Sequence, residues 1–467
     1  MTQLENILQA IKLEPDNANH YNTCAVILYK QNKFKDALIY LQSAIKLNSK
    51  YAEAYSNLGA IHSKFKNYTE AIKLYKISIA LNPKYSGAYT NLGNALNKIG
   101  EHEEAIHFHN IAISLDPKSA NNYANCASAY KNIGRFDRAE RLYKKALSLD
   151  AKHINAHFDL ATVLLQQGKN EFGFKEYEWR FKKEEMQGHL QTYKEIYTRE
   201  LYKGQELDGE RVLIHAEQGF GDSIMVARYL FDLKEKGANV ILYIRDELVS
   251  LFKDLDYVDE VHGRNDEIPK SDFQLSMMSL PLLFDAKLEN IAKNYPYFTN
   301  DAKHKLKSKK LKIGIVWGAS NTGESYKNKV YDLRHFTKMA KHEDIQLYSL
   351  QLGDDAQDIQ KYDLQDDIID LSPKIKDFKD TLSIINALDL IITSDTSVAH
   401  LAGAMGAKVW IVLQKVPDWR WGINENESKW YPSSKLFTQH SLKDFNSVFR
   451  QIYSQMQDEF KLKALDV

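Results

Sequence analysis

Pro83-Lys84-Tyr85-Ser86-Gly87-Ala88-Tyr89-Thr90-Asn91-Leu92-Gly93 opens a stretch that closes on Leu115-Asp116-Pro117, a spacing of 34 residues from proline to proline. The same spacing runs on in both directions. Ala25, Gly59, Gly93, Ala127 and Ala161 form one column, and Ala37, Ala71, Ala105, Ala139 and Gly173 form a second. Small side chains at both let two helices approach closely. Pro15, Ser49, Pro83, Pro117 and Ala151 follow an apolar residue at the end of each unit, where proline stops a helix because it has no N–H to donate. Tyr21, Tyr55, Tyr89, Tyr123 and His157 make an aromatic column, and Gly100, Gly134 and Gly168 fall midway through their units, where a turn is needed. Each unit is therefore predicted to be two antiparallel helices. The array covers about residues 16–183, after a short lead-in helix, and its worn fifth unit ends in Tyr177-Glu178-Trp179-Arg180.

In period and in its small-residue positions this array resembles the tetratricopeptide repeat. Each helix pair leaves an apolar face that only a neighbouring pair can cover, and stacking generates a concave groove suited to an extended or helical polypeptide. A polypeptide partner is the expectation. Cys24 and Cys126, the only cysteines, share one phase of the repeat and are read as small packing residues rather than a disulfide. His153 and His157 have the i, i+4 spacing of metal ligands, but His157 occupies the aromatic column and a structural role is expected. His107 and His109 are placed on one helix, with one of them exposed.

A chain of 467 residues exceeds what one core usually supports. Its 62 basic residues balance its 62 acidic ones without a long run of either sign, which removes the electrostatic footprint of a nucleic-acid binder. The first residues lack a basic and apolar leader, and no apolar run reaches membrane-spanning length. A cytoplasmic protein with no membrane span is expected.

Beyond the array the periodicity changes. Residues 184–210 are mixed and polar and read as a linker. Arg211-Val212-Leu213-Ile214-His215-Ala216 is a strand, followed by Glu217-Gln218-Gly219-Phe220-Gly221-Asp222, an amphipathic helix and a second strand at 239–244. Further strands near 258–262 and 272–276 complete a first half over 211–310. The pattern restarts at Leu311-Lys312-Ile313-Gly314-Ile315-Val316-Trp317-Gly318, with strands expected at 345–350, 367–371, 390–393 and 409–413. The second half spans 311–440, and 441–467 form a C-terminal helix. The predicted fold class is α + α/β, an α-solenoid followed by two Rossmann-like α/β domains facing each other. That pairing is the GT-B arrangement of many nucleotide-sugar transferases, with ligands outside the carboxyl ends of the strands. Fold alone does not establish activity.

Two short motifs carry the chemistry. Thr393-Ser394-Asp395-Thr396-Ser397-Val398-Ala399-His400-Leu401-Ala402-Gly403 turns a strand end into a helix, whose free N–H groups and partial positive charge suit a diphosphate. Asp395 and Thr396 are equally residue types that cap helices, and His400 is one that packs against a sheet. Gly219-Phe220-Gly221-Asp222 is the second motif. Its glycines also permit a dinucleotide fingerprint, but Ile224 stands where the third glycine or alanine belongs. Asp222 alone is as readily a helix cap as a base. Pro417-Asp418-Trp419-Arg420-Trp421 and Ser428-Lys429-Trp430-Tyr431-Pro432 lie in a long loop near the expected cleft mouth, where rings can stack on a base or sugar and Arg420 can pair with a phosphate. Asp254-Leu255-Asp256 is read as a solvated loop, and no metal is expected.

The Asp395 motif resembles the donor-binding motif of bacterial heptosyltransferases. Taken from the worn repeat through His215-Ala216-Glu217-Gln218-Gly219 to Trp421, the chain resembles bacterial tetratricopeptide proteins with a heptosyltransferase-like C-terminal domain, some of which glycosylate flagellin recruited by their repeats. The resemblance implies an inverting glycosyltransferase with Asp222 as general base, and with Asp395, Thr396, Ser397, His400, Trp317 and Gly318 on the donor side. Gln218, Gly219, Gly221, Trp419 and Arg420 are further candidate ligand contacts. The nucleotide-sugar enters as a co-substrate, with no cofactor. Relatives often carry an Arg-Ser pair where this chain has Tyr331-Asp332, so phosphate contacts from that loop are not carried over. The alternative is a protein-binding scaffold whose transferase-like domain has lost catalysis.

Overall fold

A computed structural model describes residues 2–287, 289–299, 303–319 and 329–462; residues 463–467 of the expected C-terminal helix lie outside the described residues. The chain forms two compact units, Met1–Val163 and Leu164–Val467.

In the first unit, helices of 13 and 14 residues alternate: Ala18–Lys30 with Phe34–Leu47, Ala52–Lys64 with Tyr68–Leu81, Ser86–Lys98 with His102–Leu115, and Ala120–Asn132 with Phe136–Leu149. Gln3–Leu13 leads in. The small-residue column has a direct cause. A Cβ on Gly59 would stand 2.7 Å from the Tyr75 ring, and one on Gly93 would stand 2.6 Å from the His109 ring. The turn column demands a left-handed backbone: Gly100, Gly134 and Gly168 have φ of +92°, +76° and +72°, and at the same phase Asn32 and Lys66 take φ of 60° and 59° despite their Cβ. At the end of each second helix an Asx turn reverses the chain, with Asn48, Asn82, Asp116 and Asp150 accepting the N–H two residues on.

The histidines and cysteines fall where their phase placed them. His109 is buried and its burial lowers its pKa to about 4, while His107 is exposed. His153 bonds Asn121 at 2.9 Å and accepts the N–H of Ala156, and His157 bonds the carbonyl of Ala151. Cys24 and Cys126 are both buried and free.

The second unit holds two all-parallel sheets. The first has the order β1-β5-β2-β3-β4, built from β1 (Glu200–Leu201), β2 (Arg211–His215), β3 (Asn239–Ile244), β4 (Glu260–Gly263) and β5 (Phe273–Ser276). The second has the order β11-β10-β9-β6-β7-β8, from β6 (Leu311–Val316), β7 (Ile345–Ser349), β8 (Ile368–Asp370), β9 (Leu390–Ser394), β10 (Val409–Leu413) and β11 (Ser434–Thr438). Their central strands are buried on both faces, as parallel strands covered by helices must be. Phe445–Phe460 closes the second half, burying Val448, Phe449, Ile452 and Met456 against Tyr331 and Phe336. Strand order reverses between β2 and β5 in one sheet and between β6 and β9 in the other, which fixes where each half opens a crevice. Among the described residues no helix is long and apolar enough to cross a membrane.

Three expectations change. Residues 184–210 are not a plain linker: helices Glu184–Thr192 and Lys194–Tyr197 lead into β1, which pairs with β5 at the sheet edge, and the polar sequence reflects that exposed edge. The array does not separate at residue 183. Helix Asn170–Tyr177 and the turn Glu178–Lys182 belong to the second unit, because their large side chains bury against it. The long loop after β10 ends in a sixth strand, β11, which extends the sheet.

Candidate functional site

The two motifs meet. Helix Phe220–Val226 follows β2 and helix Ser397–Ala404 follows β9, and they pack on each other with Gly221 against His400, where a Cβ on Gly221 would lie 2.6 Å from the imidazole. The glycine therefore serves a close approach between halves, not a dinucleotide turn. Both helices start at the carboxyl end of a strand beside a switch point.

In the Asp395 motif, Thr396 makes no side-chain cap bond. Its hydroxyl pairs instead with that of Thr393 at 3.0 Å, which leaves the first-turn amides of the Ser397–Ala404 helix without a cap bond from Thr396. Asp395 is held rather than free: Trp421 Nε1 donates to it at 2.8 Å and Lys329 Nζ lies 2.6 Å away. Ser397 is half-buried at the helix start. The Ser394 hydroxyl donates to the carbonyl of Gly318 at 3.0 Å, bridging the switch point, and Gln351 accepts the N–H groups of both Trp317 and Gly318. Trp317 itself is fully buried in the core, its indole directed to Asp358, so its backbone alone is at the strand end.

His400 is enclosed. It stacks on Trp421 with 4.8 Å between ring centroids and shares a 2.9 Å hydrogen bond with the Tyr431 hydroxyl. Burial, reinforced by the Arg420 cation, lowers its pKa to about 3, and the ring is neutral. It acts as a strut between motifs instead of an open ligand contact.

Asp222 lies at the start of its helix, where Oδ2 accepts the N–H of Gly219 at 3.1 Å. Its Oδ1 accepts from Arg420 Nε at 3.0 Å, across 198 residues of sequence and from one half to the other. Trp419 is buried against Phe174, Tyr177 and Trp430. Trp421, Trp430 and Tyr431 are buried too, so the loop's rings fill the space between elements and are not open stacking surfaces. In the third loop, Asp332 caps the turn Leu333–Phe336 and pairs with Arg334, while the Tyr331 hydroxyl donates to the Val316 carbonyl.

Residues that sequence reasoning passed over complete the first crevice. Arg180, at the end of the worn repeat, enters the β2/β5 switch point. It donates to Ser279 at 2.8 Å and Ser276 at 3.4 Å, and pairs with Glu178 and, at 3.1 Å, with Glu217. The Arg180 and Glu217 side chains are 2% and 0% exposed. Tyr177 donates to Gln218 at 3.0 Å. Arg228, also buried, joins the halves by donating to the carbonyls of Ile291 at 2.6 Å and Trp430 at 3.0 Å. The one sequence signal for these was the aromatic and charged run ending the fifth repeat, which departs from the repeat's own pattern.

Comparison with known proteins agrees with this division. Four tetratricopeptide-repeat family models match residues 26–64, 52–85, 74–107 and 134–171. The model described as glycosyltransferase family 9 (heptosyltransferase) matches residues 278–417. That span holds the Asp395 motif but neither Asp222 nor Arg420. Among solved structures, the chain is similar to MamA (29% identity, 32% of this chain and 87% of that one, TM-score 0.29). It is also similar to a thermophilic TPR protein of Thermus thermophilus (23% identity, 38% and 96%, TM-score 0.34). A third is YrrB, described as a TPR protein with an unusual peptide-binding site (19% identity, 40% and 99%, TM-score 0.31). No curated protein matches the chain in sequence.

Proposed function

For a chain that carries tetratricopeptide repeats and a glycosyltransferase family 9 domain, we propose transfer of a sugar from a nucleotide-sugar to a hydroxyl of a protein acceptor recruited by the repeat groove. The observation that carries this reading is the packing of the Phe220–Val226 helix on the Ser397–Ala404 helix, which brings Asp222 and the uncapped donor-side helix start into one site. The diphosphate docks on the amides at Ser397, where the helix dipole favours the charge that develops as it departs. The acceptor oxygen attacks the anomeric carbon opposite that phosphate. A carbon–oxygen bond forms, the bond to the phosphate oxygen breaks and leaves its electron pair on the diphosphate, and the hydroxyl proton passes to Asp222. One displacement of this kind inverts the anomeric centre and uses no metal. Trp317, Asp395 and His400 hold the geometry from behind, and flagellin is one acceptor class consistent with the groove.

The engaged state of Asp222 specifically favours a second reading, a protein-binding scaffold without chemistry. Turnover separates the two. With a panel of nucleotide-sugars and a polypeptide acceptor, Asp222→Ala is expected to lower transfer by about a hundredfold or more while a cooperative melt and acceptor binding persist. Transfer that survives the substitution removes Asp222 as base; a wild-type protein without transfer on any donor supports the scaffold.

A further inference from the structure

Both oxygens of Asp222 are engaged. Oδ2 accepts the Gly219 N–H, and Oδ1 accepts from both Nε and Nη2 of Arg420. The remaining arm, Nη1, donates to Asp418 Oδ1 at 2.5 Å, and the same oxygen takes the Arg420 backbone N–H at 3.1 Å. The guanidinium thus lies between two carboxylates and over the Trp419 ring, 4.4 Å from its centroid. Burial alone would lower its pKa, but Asp222 and Asp418 more than offset that and keep it charged. With two hydrogen bonds from Arg420 on Oδ1, that oxygen has no lone pair left to meet an acceptor hydroxyl. Arg420 also precedes Trp421, whose indole holds Asp395 beside the donor helix. It therefore stands between the two chemical motifs, in contact with one and a residue away from the side chain that fixes the other.

We propose that Arg420 is a positioning residue with two mutually exclusive partners, Asp222 in the free protein and the donor diphosphate in the complex, so that donor binding unmasks Asp222. This rests on the function proposed above. A planar guanidinium fits a carboxylate and a phosphate through the same fork, and the diphosphate offers more negative charge than one carboxylate. Asp418 holds the Arg420 backbone N–H in either state and acts as the pivot. The order of binding follows: the donor enters first, and the acceptor hydroxyl then meets a carboxylate free to take its proton.

Calorimetric titration of the full chain with ADP, CDP, GDP and UDP tests the exchange without requiring turnover. Asp222→Asn removes the competitor for Arg420 and is expected to tighten diphosphate binding several-fold. Arg420→Met is expected to weaken it roughly tenfold or more, with Arg420→Lys, which keeps the charge but loses the fork, falling between. In the Arg420→Met background Asp222→Asn is expected to change nothing. Thermal melts establish that each variant is folded, and if Arg420→Met is not, the same comparison is made in Arg420→Lys, where the effect of Asp222→Asn is expected to shrink. Unchanged or weaker binding by Asp222→Asn overturns the proposal, as does equal tightening with and without Arg420, which would be a general charge effect. A wild-type chain that binds none of the four overturns the donor reading itself, whereas transfer that survives Asp222→Ala removes the base and leaves the exchange standing.

Discussion

At the scale of single residues, what decides behaviour is which groups burial forces to stay neutral and which it forces to stay paired. His400 is the clearest case. The unfolded chain protonates this ring near the ordinary value of 6.5, whereas in the folded protein it stays neutral down to about 3. Across that window the unfolded state binds more protons. The stability it contributes is therefore complete above about pH 6.5 and is lost as pH falls toward 3, by about 1.4 kcal/mol per pH unit. His400→Gln, which does not titrate, is expected to lose about 2 kcal/mol less than wild type between pH 7 and pH 5 in urea unfolding. Equal losses would show that the ring is not held neutral. Part of this scale was legible in the sequence: the Gly-Asp turn and the Asp395 motif marked two helix starts that the fold packs against each other. The bond from Arg420 to Asp222 was not, because residues 198 apart on irregular loops leave no periodic trace. Nor was the enclosure of His400, which depends on Gly221 from a helix of the other half and on Trp421 and Tyr431 from two stretches of the loop before β11.

At the scale of elements, the repeat was readable because its constraints recur. Each column marks one steric demand, met several times over. The exceptions to a column are therefore where stability is left unclaimed. Lys66 adopts the left-handed backbone that Gly100, Gly134 and Gly168 adopt freely, so Lys66→Gly is expected to stabilise the first unit by about 0.5–1 kcal/mol, read as a rise in the urea midpoint; a fall would mean that the Lys66 side chain contributes more than its backbone costs. The opposite change, Gly93→Ala, places a methyl group 2.6 Å from the His109 ring and is expected to cost about 1–3 kcal/mol, even though alanine is the better helix former. A neutral or stabilising result would show that the ring can withdraw. The short edge strand β1 and the terminal strand β11 escaped sequence reading for the converse reason. Two exposed residues at a sheet edge, and a strand preceded by an aromatic loop, carry no alternation to detect.

At the scale of the whole molecule, the boundary between repeat and catalytic-type domain is chemical as well as geometric. Phe174, Tyr177 and Arg180 are repeat residues by sequence phase, yet they pack on Trp419, Gln218 and Glu217. A fragment of residues 154–467 is expected to melt cooperatively, whereas residues 184–467 lose the Arg180 pair with Glu217 and the cover of Tyr177 and are expected to melt at a lower temperature. Differential scanning calorimetry of the two fragments checks this, and similar melting temperatures would make the Arg180 pair dispensable. The position of this junction was hidden because the worn repeat keeps its small-residue phase at Gly173 while exchanging its ending. That exchange bears on how such a protein can change over generations. The last unit carries side chains fitted to the crevice, Tyr177 and Arg180 among them. Duplication or loss of a 34-residue segment upstream alters the length of the repeat array by one whole unit and leaves the sequence of the crevice residues untouched. Under the function proposed above, acceptor preference and bond-making chemistry would be heritable as separate traits within a single gene.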